Sequence, residues 1–266
     1  MDSSMNTENY LTDYYENYDE DGRLTSKHGM VEFATTMRYI EKYLKPGMRV
    51  LEIGAATGRY SHTLARKGYQ VDAVELVDHN IELFKENTVE GEQVTITQGN
   101  AMDLSAFESD TYDITLLLGP MYHLFTTEDK TKALSEAVRV TKSGGVVFVA
   151  YCMGDACILA YGFGRGEIFN IIEKCMLDTD TFETFSHPWD IFELHRKEDI
   201  DKLRDGFDVT QLHFVATDGY TGHMRETVDQ MDDKMYELYL KYHFATCERQ
   251  DMVGYSNHTL DIFRKE

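Results

Sequence analysis

A chain of 266 residues with 42% apolar side chains is long enough to bury one sizeable α/β domain together with a cap. Its 47 acidic against 26 basic side chains leave a formal charge of −21, a field that repels phosphate backbones and disfavours nucleic acid as a partner. The four cysteines (Cys152, Cys157, Cys175, Cys247) lack CxxC spacing, residues 1–22 hold seven carboxylates and no Lys or Arg, and no run approaches ~18 apolar residues. A reduced, cytoplasmic protein with no membrane span is therefore expected.

In chain order, residues 1–28 are polar and tyrosine-rich and read as an N-terminal flap. Gly29–Leu44 carries apolar residues at helical spacing and is broken by Pro46-Gly47. Arg49–Ile53 reads as a strand, Gly54–Gly58 as a turn, and the residues through Lys67 as a helix. Val71–Glu75 is a second strand, His79–Thr88 a helix, Val94–Gln98 a third strand and Tyr112–Leu118 a fourth. Lys130–Thr141 is a helix and Val146–Tyr151 another apolar strand. Continuous apolar strands alternating with helices predict a parallel sheet covered on both faces, with residues 29–151 as the core. Beyond it, 152–196 reads as a cap insertion. Residues 197–266 complete the sheet through strands at Phe207–Thr217 and Thr259–Arg264, with a helical insertion at about 221–250.

The strand ends carry the chemistry. Glycines in Val50-Leu-Glu-Ile-Gly-Ala-Ala-Thr-Gly58 let a ligand approach the backbone where a helix begins. Glu52 beside that turn would repel a pyrophosphate and attract an ammonium or sulfonium, which favours S-adenosylmethionine over a dinucleotide. Glu75 closes the second strand 21 residues after Gly54, where an acid can accept from two ribose hydroxyls. Asn100 can bond an adenine amine, Ala101 can meet the ring edge through its backbone, and Met102 can pack on its face. Gly119-Pro120 turns the chain after the fourth strand and presents Tyr122 and His123 as candidate catalytic residues.

In this order, and with Lys142-Ser-Gly-Gly145 before the fifth strand, these elements resemble the class I, Rossmann-like S-adenosylmethionine-dependent methyltransferases, strongly over residues 29–151 and in outline over 207–264. The resemblance implies a doubly wound, seven-stranded, mostly parallel sheet with its last strand antiparallel and helices on both faces. It implies that Glu52, Gly54, Ala55, Ala56 and Gly58 surround the methionine part, that Glu75 and Leu76 meet the ribose, and that Asn100, Ala101 and Met102 hold the adenine. Leu118 and Gly119 would line the floor under the sulfonium. Ala56 and Asn100 depart from the family pattern, which often has Gly and Asp there. An arginine on the flap, Arg23, is a candidate for the methionine carboxylate.

The expected activity is methyl transfer to a small-molecule acceptor by a monomer or homodimer, with His123, or secondarily Tyr122, polarising or deprotonating the acceptor. His187, His195, His223 and His243 are spread out and lack metal spacing, so no metal is expected. Tyr161, Phe163, Phe169, Phe182, Phe185, Trp189 and Phe192 are candidates for an acceptor pocket or for a small core under the cap. The competing readings are a methyltransferase acting on tRNA or protein, a nicotinamide oxidoreductase, and a non-catalytic S-adenosylmethionine-binding protein.

Overall fold

The computed structural model describes residues 3–18 and 20–266. Met1, Asp2 and Asp19 of the expected flap lie outside the described residues.

The chain opens with two helices, α1 (Ser3–Tyr15) and the short α2 (Glu20–Arg23), followed by α3 (Lys27–Tyr43), whose N-cap Ser26 accepts from the Gly29 N–H. The core then alternates as expected: β1 (Arg49–Ile53), α4 (Arg59–Arg66), β2 (Gln70–Glu75), α5 (Asp78–Asn87), β3 (Val94–Gln98), β4 (Tyr112–Leu117), α6 (Thr127–Val140) and β5 (Thr141–Met153). Strand β5 is longer than the apolar run alone suggests, because Thr141 already pairs with Tyr112 across a register shift.

After β5 come α7 (Gly154–Cys157), a wider helical turn at Ile158–Phe163 and α8 (Ile168–Glu173), then β6 (Leu194–His195), α9 (Lys197–Arg204) and β7 (Val209–Ala216). The helical insertion expected at about 221–250 holds two helices, α10 (Arg225–Asp229) and α11 (Asp233–Thr246), where apolar spacing runs on as if through one. Asp232 interrupts it by capping α11, its side chain accepting from the Met235 N–H. Strand β8 (His258–Lys265) ends the fold.

The sheet has eight strands in the order β3-β2-β1-β4-β5-β8-β7, with the two-residue β6 added beside the end of β5. That short strand is the one departure from the expected seven. It is too brief to carry an alternating pattern in the sequence. Strand β8 runs antiparallel to both β5 and β7, as the resemblance implied, and β1 to β5 pair in parallel.

Alternate strand residues face opposite cores. Val50, Ile114, Leu116 and Phe148 pack with Ile40 of α3 and Leu64 of α4, while Leu51, Ile53, Leu117, Val147 and Val149 pack with Leu134 and Ala137 of α6 and Ile200 of α9. The chain progresses outward from β1 through β2 to β3, then returns to pair β4 on the other side of β1. Crevices form at such a reversal, outside the carboxyl ends of the strands. Among the described residues no helix is long and apolar enough to cross a membrane.

Candidate active site

The crevice is real: a cleft enclosing about 1440 Å³, part of it open to solvent, is lined by the loops after β1, β2, β3 and β4. Of the residues singled out in the sequence, Arg23, Glu52, Gly54, Ala55, Ala56, Glu75, Leu76, Asn100, Ala101, Met102, Leu118, Gly119, Tyr122 and His123 all stand in its wall. Gly58 does not. It caps α4 behind the wall with φ +89, and a Cβ there would meet Phe84 at 2.5 Å and His62 Nε2 at 2.6 Å. Its glycine is required by helix packing.

Gly54 turns the chain at φ +77, and a Cβ on it would stand 2.6 Å from Pro120 Cδ. The turn after β1 and the turn after β4 therefore touch across the cleft. Gly54→Ala must part them and hold a strained backbone. We expect a loss of about 2 kcal/mol, read as a fall of about 5 °C in thermal midpoint. An unchanged midpoint would remove this contact from the argument.

Two carboxylates organise the floor. Ala56 holds the left-handed φ 46 while its N–H donates to Glu75 Oε2 at 2.8 Å. Oε1 of Glu75 accepts from the Val77 N–H at 2.9 Å and from Asn80 Nδ2 at 3.4 Å. Glu75 thus ties the end of β2 to the turn after β1. Burial raises its pKa, and the hydrogen bonds oppose the rise.

Glu52, 2% exposed, accepts from Ser61 Oγ of α4. Burial pushes its pKa up to about 8, a rise that Ser61 opposes and Glu75 reinforces. The sequence reading counted Glu52 as a standing charge, but buried at the end of β1 it is mostly protonated at neutral pH. An approaching cation would favour its ionised form.

The opposite wall carries His123. Its ring is buried, with Nδ1 2.7 Å from the Ile191 carbonyl and Nε2 2.9 Å from the Tyr15 hydroxyl. A carbonyl only accepts, so Nδ1 bears the proton and Nε2 accepts from Tyr15. Burial lowers the pKa of His123 to about 4, so the imidazole is neutral near pH 7. Phe192 packs on this ring at 5.4 Å and on Tyr122 at 6.1 Å.

Helix α1 closes the cleft with Thr7, Glu8, Leu11 and Tyr15. Asn100 is engaged on both sides: Oδ1 accepts from the Met102 N–H at 3.0 Å and Nδ2 donates to Glu8 Oε1 at 3.2 Å. Both of its side-chain groups are thereby spoken for within the fold.

Arg23 reaches the wall but donates to Glu32 Oε2 at 2.9 Å. Beyond it, Glu32, Asp218 and His258 converge. Burial disfavours the charged imidazole, yet Glu32 and Asp218 hold the pKa of His258 well above its ordinary value. The Arg23 and His258 cations balance the two carboxylates there.

None of the seven cap aromatics lines the cleft. Phe163, Phe169, Phe182, Phe185 and Trp189 are exposed, and the cap reaches the wall only through Pro188. Tyr15 stands in the wall as one of the tyrosines of the expected flap, whereas sequence reasoning missed Glu8, Leu11, Arg59, Tyr60 and Asp129. For Arg59 a signal existed, its place beside Gly58. For the rest it did not, because their proximity depends on how helices close over the sheet.

Residues 51–149, from β1 to near the end of β5, match a family model described as a methyltransferase domain. This stretch is a class I, Rossmann-like methyltransferase domain. The domain is similar to the ubiquinone biosynthesis O-methyltransferase of Xanthomonas axonopodis pv. citri, at 27% identity over 135 residues, 50% of this chain and 54% of that protein. A second relative is the S-adenosyl-L-methionine-dependent Diels-Alderase iccD of Talaromyces variabilis, 30% identical over 106 residues, 38% of this chain and 35% of that protein. The chain thus spans about half of the first of these relatives and about a third of the second.

In fold, the methyltransferase domain and its flanks are similar to phosphoethanolamine N-methyltransferase 1 of Haemonchus contortus, solved with S-adenosylhomocysteine. The TM-score is 0.61 at 13% identity, over 99% of this chain and 50% of that one. A methyltransferase of Methanosarcina mazei gives 0.56 at 18% identity, over 85% and 96%. The Haemonchus contortus protein holds S-adenosylhomocysteine. The wall suits such a ligand: paired buried acids at one end, the tight Gly54 turn beneath, and apolar Leu76, Ala101, Met102 and Leu118 between.

Proposed function

We propose that the protein is an S-adenosylmethionine-dependent methyltransferase acting on a small-molecule acceptor. One observation carries the reading: the acid-bordered turns after β1 and β2, the turn after β4 and the Tyr15–His123 pair all open into one cleft. The bound cofactor supplies an electrophilic methyl group. In this reading Glu52 offers a counter-charge to the methionine ammonium, Glu75 borders the ribose, and the loop 99–102 borders the adenine. Helix α1 excludes water, which favours a displacement in which charge is lost.

The Tyr15 hydroxyl and the ring of His123 face the space left for the acceptor. With a pKa of about 4, His123 is a weak base, so its Nε2 orients the Tyr15 hydroxyl rather than stripping a proton unaided. Tyr15 then meets the acceptor nucleophile. The names of the relatives, O- and N-methyltransferases among them, favour a small acceptor, and the charge of −21 disfavours tRNA.

A second reading, cofactor binding without methyl transfer, is favoured by the Diels-Alderase among the relatives and by the weak basicity of His123. Incubation with isotope-labelled S-adenosylmethionine and a metabolite extract separates the two. Methyl transfer to a low-molecular-weight product is expected. Tight binding of S-adenosylhomocysteine with no labelled product from any pool would favour the second reading, and no binding would end both.

A further inference from the structure

The cleft wall contains two guanidinium groups and no lysine. Arg23 is paired with Glu32 at 2.9 Å. Arg59, the first residue of α4, is different. Among the described residues it forms no ion pair, its one side-chain hydrogen bond runs from Nη2 to Met30 Sδ at 3.2 Å, and its Nε is buried with no partner. The guanidinium is held over the Phe33 ring, 4.7 Å from the centroid, which fixes its plane without neutralising it.

In a chain with 47 acidic side chains, a cation left without a carboxylate in a cleft is a departure. A buried donor without an acceptor destabilises the fold, and a guanidinium is built to take a planar anion through paired N–H groups. The wall's carboxyl groups (Glu8, Glu52, Glu75, Asp129) offer an anion nothing, so among the described residues Arg59 is the one wall cation left uncommitted for it.

We propose that Arg59 is the anion-binding residue of the cleft and receives a carboxylate of a bound ligand. Two ligands can bring that group: the donor, through the α-carboxylate of its methionine part, or an acidic acceptor. The donor source rests on the function proposed above. The acceptor source does not. On the donor source Arg59 takes the role for which the sequence made Arg23 a candidate.

The test compares wild type, Arg59→Gln and Arg59→Lys by calorimetry with S-adenosylhomocysteine and with 5′-methylthioadenosine, which keeps the nucleoside and sulfur but lacks the amino-acid head. If the donor is the source, Arg59→Gln weakens S-adenosylhomocysteine by about tenfold to a hundredfold and leaves methylthioadenosine within twofold. Arg59→Lys falls between. If S-adenosylhomocysteine is held equally by all three proteins, titration with sodium acetate and with inorganic phosphate follows. Anion binding by wild type that is lost in Arg59→Gln then assigns the acceptor as the source.

Equal losses for both nucleosides, or no difference between wild type and variants in any arm, overturns the proposal. Should Arg59→Gln fail to fold, Arg59→Lys is read in the same arms, with a loss of at least threefold for the carboxylate ligand expected. Wild type that bound neither nucleoside would sink the methyltransferase reading, and the acetate and phosphate titrations would still decide Arg59.

Discussion

Glu52→Gln should make the ligand-free protein more stable and bind S-adenosylmethionine less tightly. The carboxyl is buried at the end of β1, and burial raises its pKa to about 8. A carboxyl whose folded pKa lies above its unfolded value holds more protons in the folded state. Its stabilising contribution is complete below pH ~4.5 and is lost as pH rises towards 8. The amide cannot ionise, so the variant keeps that stability, with a gain of about 2–4 kcal/mol at pH 8 and little change at pH 4.5. Thermal melts across that range check it. A variant no more stable than wild type at pH 8 would mean that Glu52 is ionised and well solvated.

Binding should run the other way. A ligand bearing an ammonium and a sulfonium favours ionised Glu52, so uptake near pH 7 releases close to one proton. Affinity then rises with pH between 6 and 7.5 by up to about tenfold per unit, and the ligand's own amino group, with a pKa near 8, ends the rise. Calorimetry in buffers of different ionisation enthalpy counts the proton. In Glu52→Gln the release should vanish and the affinity fall by about tenfold or more. A pH-independent affinity in wild type would detach Glu52 from the donor.

The second large effect concerns Tyr15 and His123. His123→Ala is expected to slow turnover by about 10²-fold or more while leaving the affinity for S-adenosylhomocysteine intact. Tyr15→Phe, which removes only the hydroxyl 2.9 Å from Nε2, should cost a comparable factor. Because the two act as one unit, the double variant should be little worse than either single one. Additive losses would mean independent roles. With the imidazole pKa near 4, no turnover inflection from His123 should appear between pH 5.5 and 8. An inflection near 6.5 that disappeared in His123→Ala would show an exposed, titrating ring.

Local pattern and periodicity were enough for the core. Apolar runs such as Val146–Val149 could be placed in a buried parallel sheet because a strand covered on both faces carries no alternation to obscure it. The Gly54 turn and the acids Glu52 and Glu75 were legible for a related reason: their place follows from strand ends, and strand ends follow from the runs. What lay outside the core was less legible. The break at Asp232 looked like continuous helix because the flanking apolar residues keep helical spacing across it, and the cap aromatics, candidates for an acceptor pocket or for a small core, stand outside the cleft with five of the seven exposed.

The amino-acid order alone determined which loops meet at the reversal between β1 and β4, since parallel strands joined by covering helices leave few other arrangements. Only the tertiary structure decided the protonation of that crevice and its lid. Burial turned Glu52 from a standing charge into a carboxyl with a pKa near 8, and it made His123 a neutral acceptor for Tyr15, 108 residues away in sequence. The reason is physical: pairing along a strand is set by neighbours in the chain, whereas desolvation depends on every element that closes over a group.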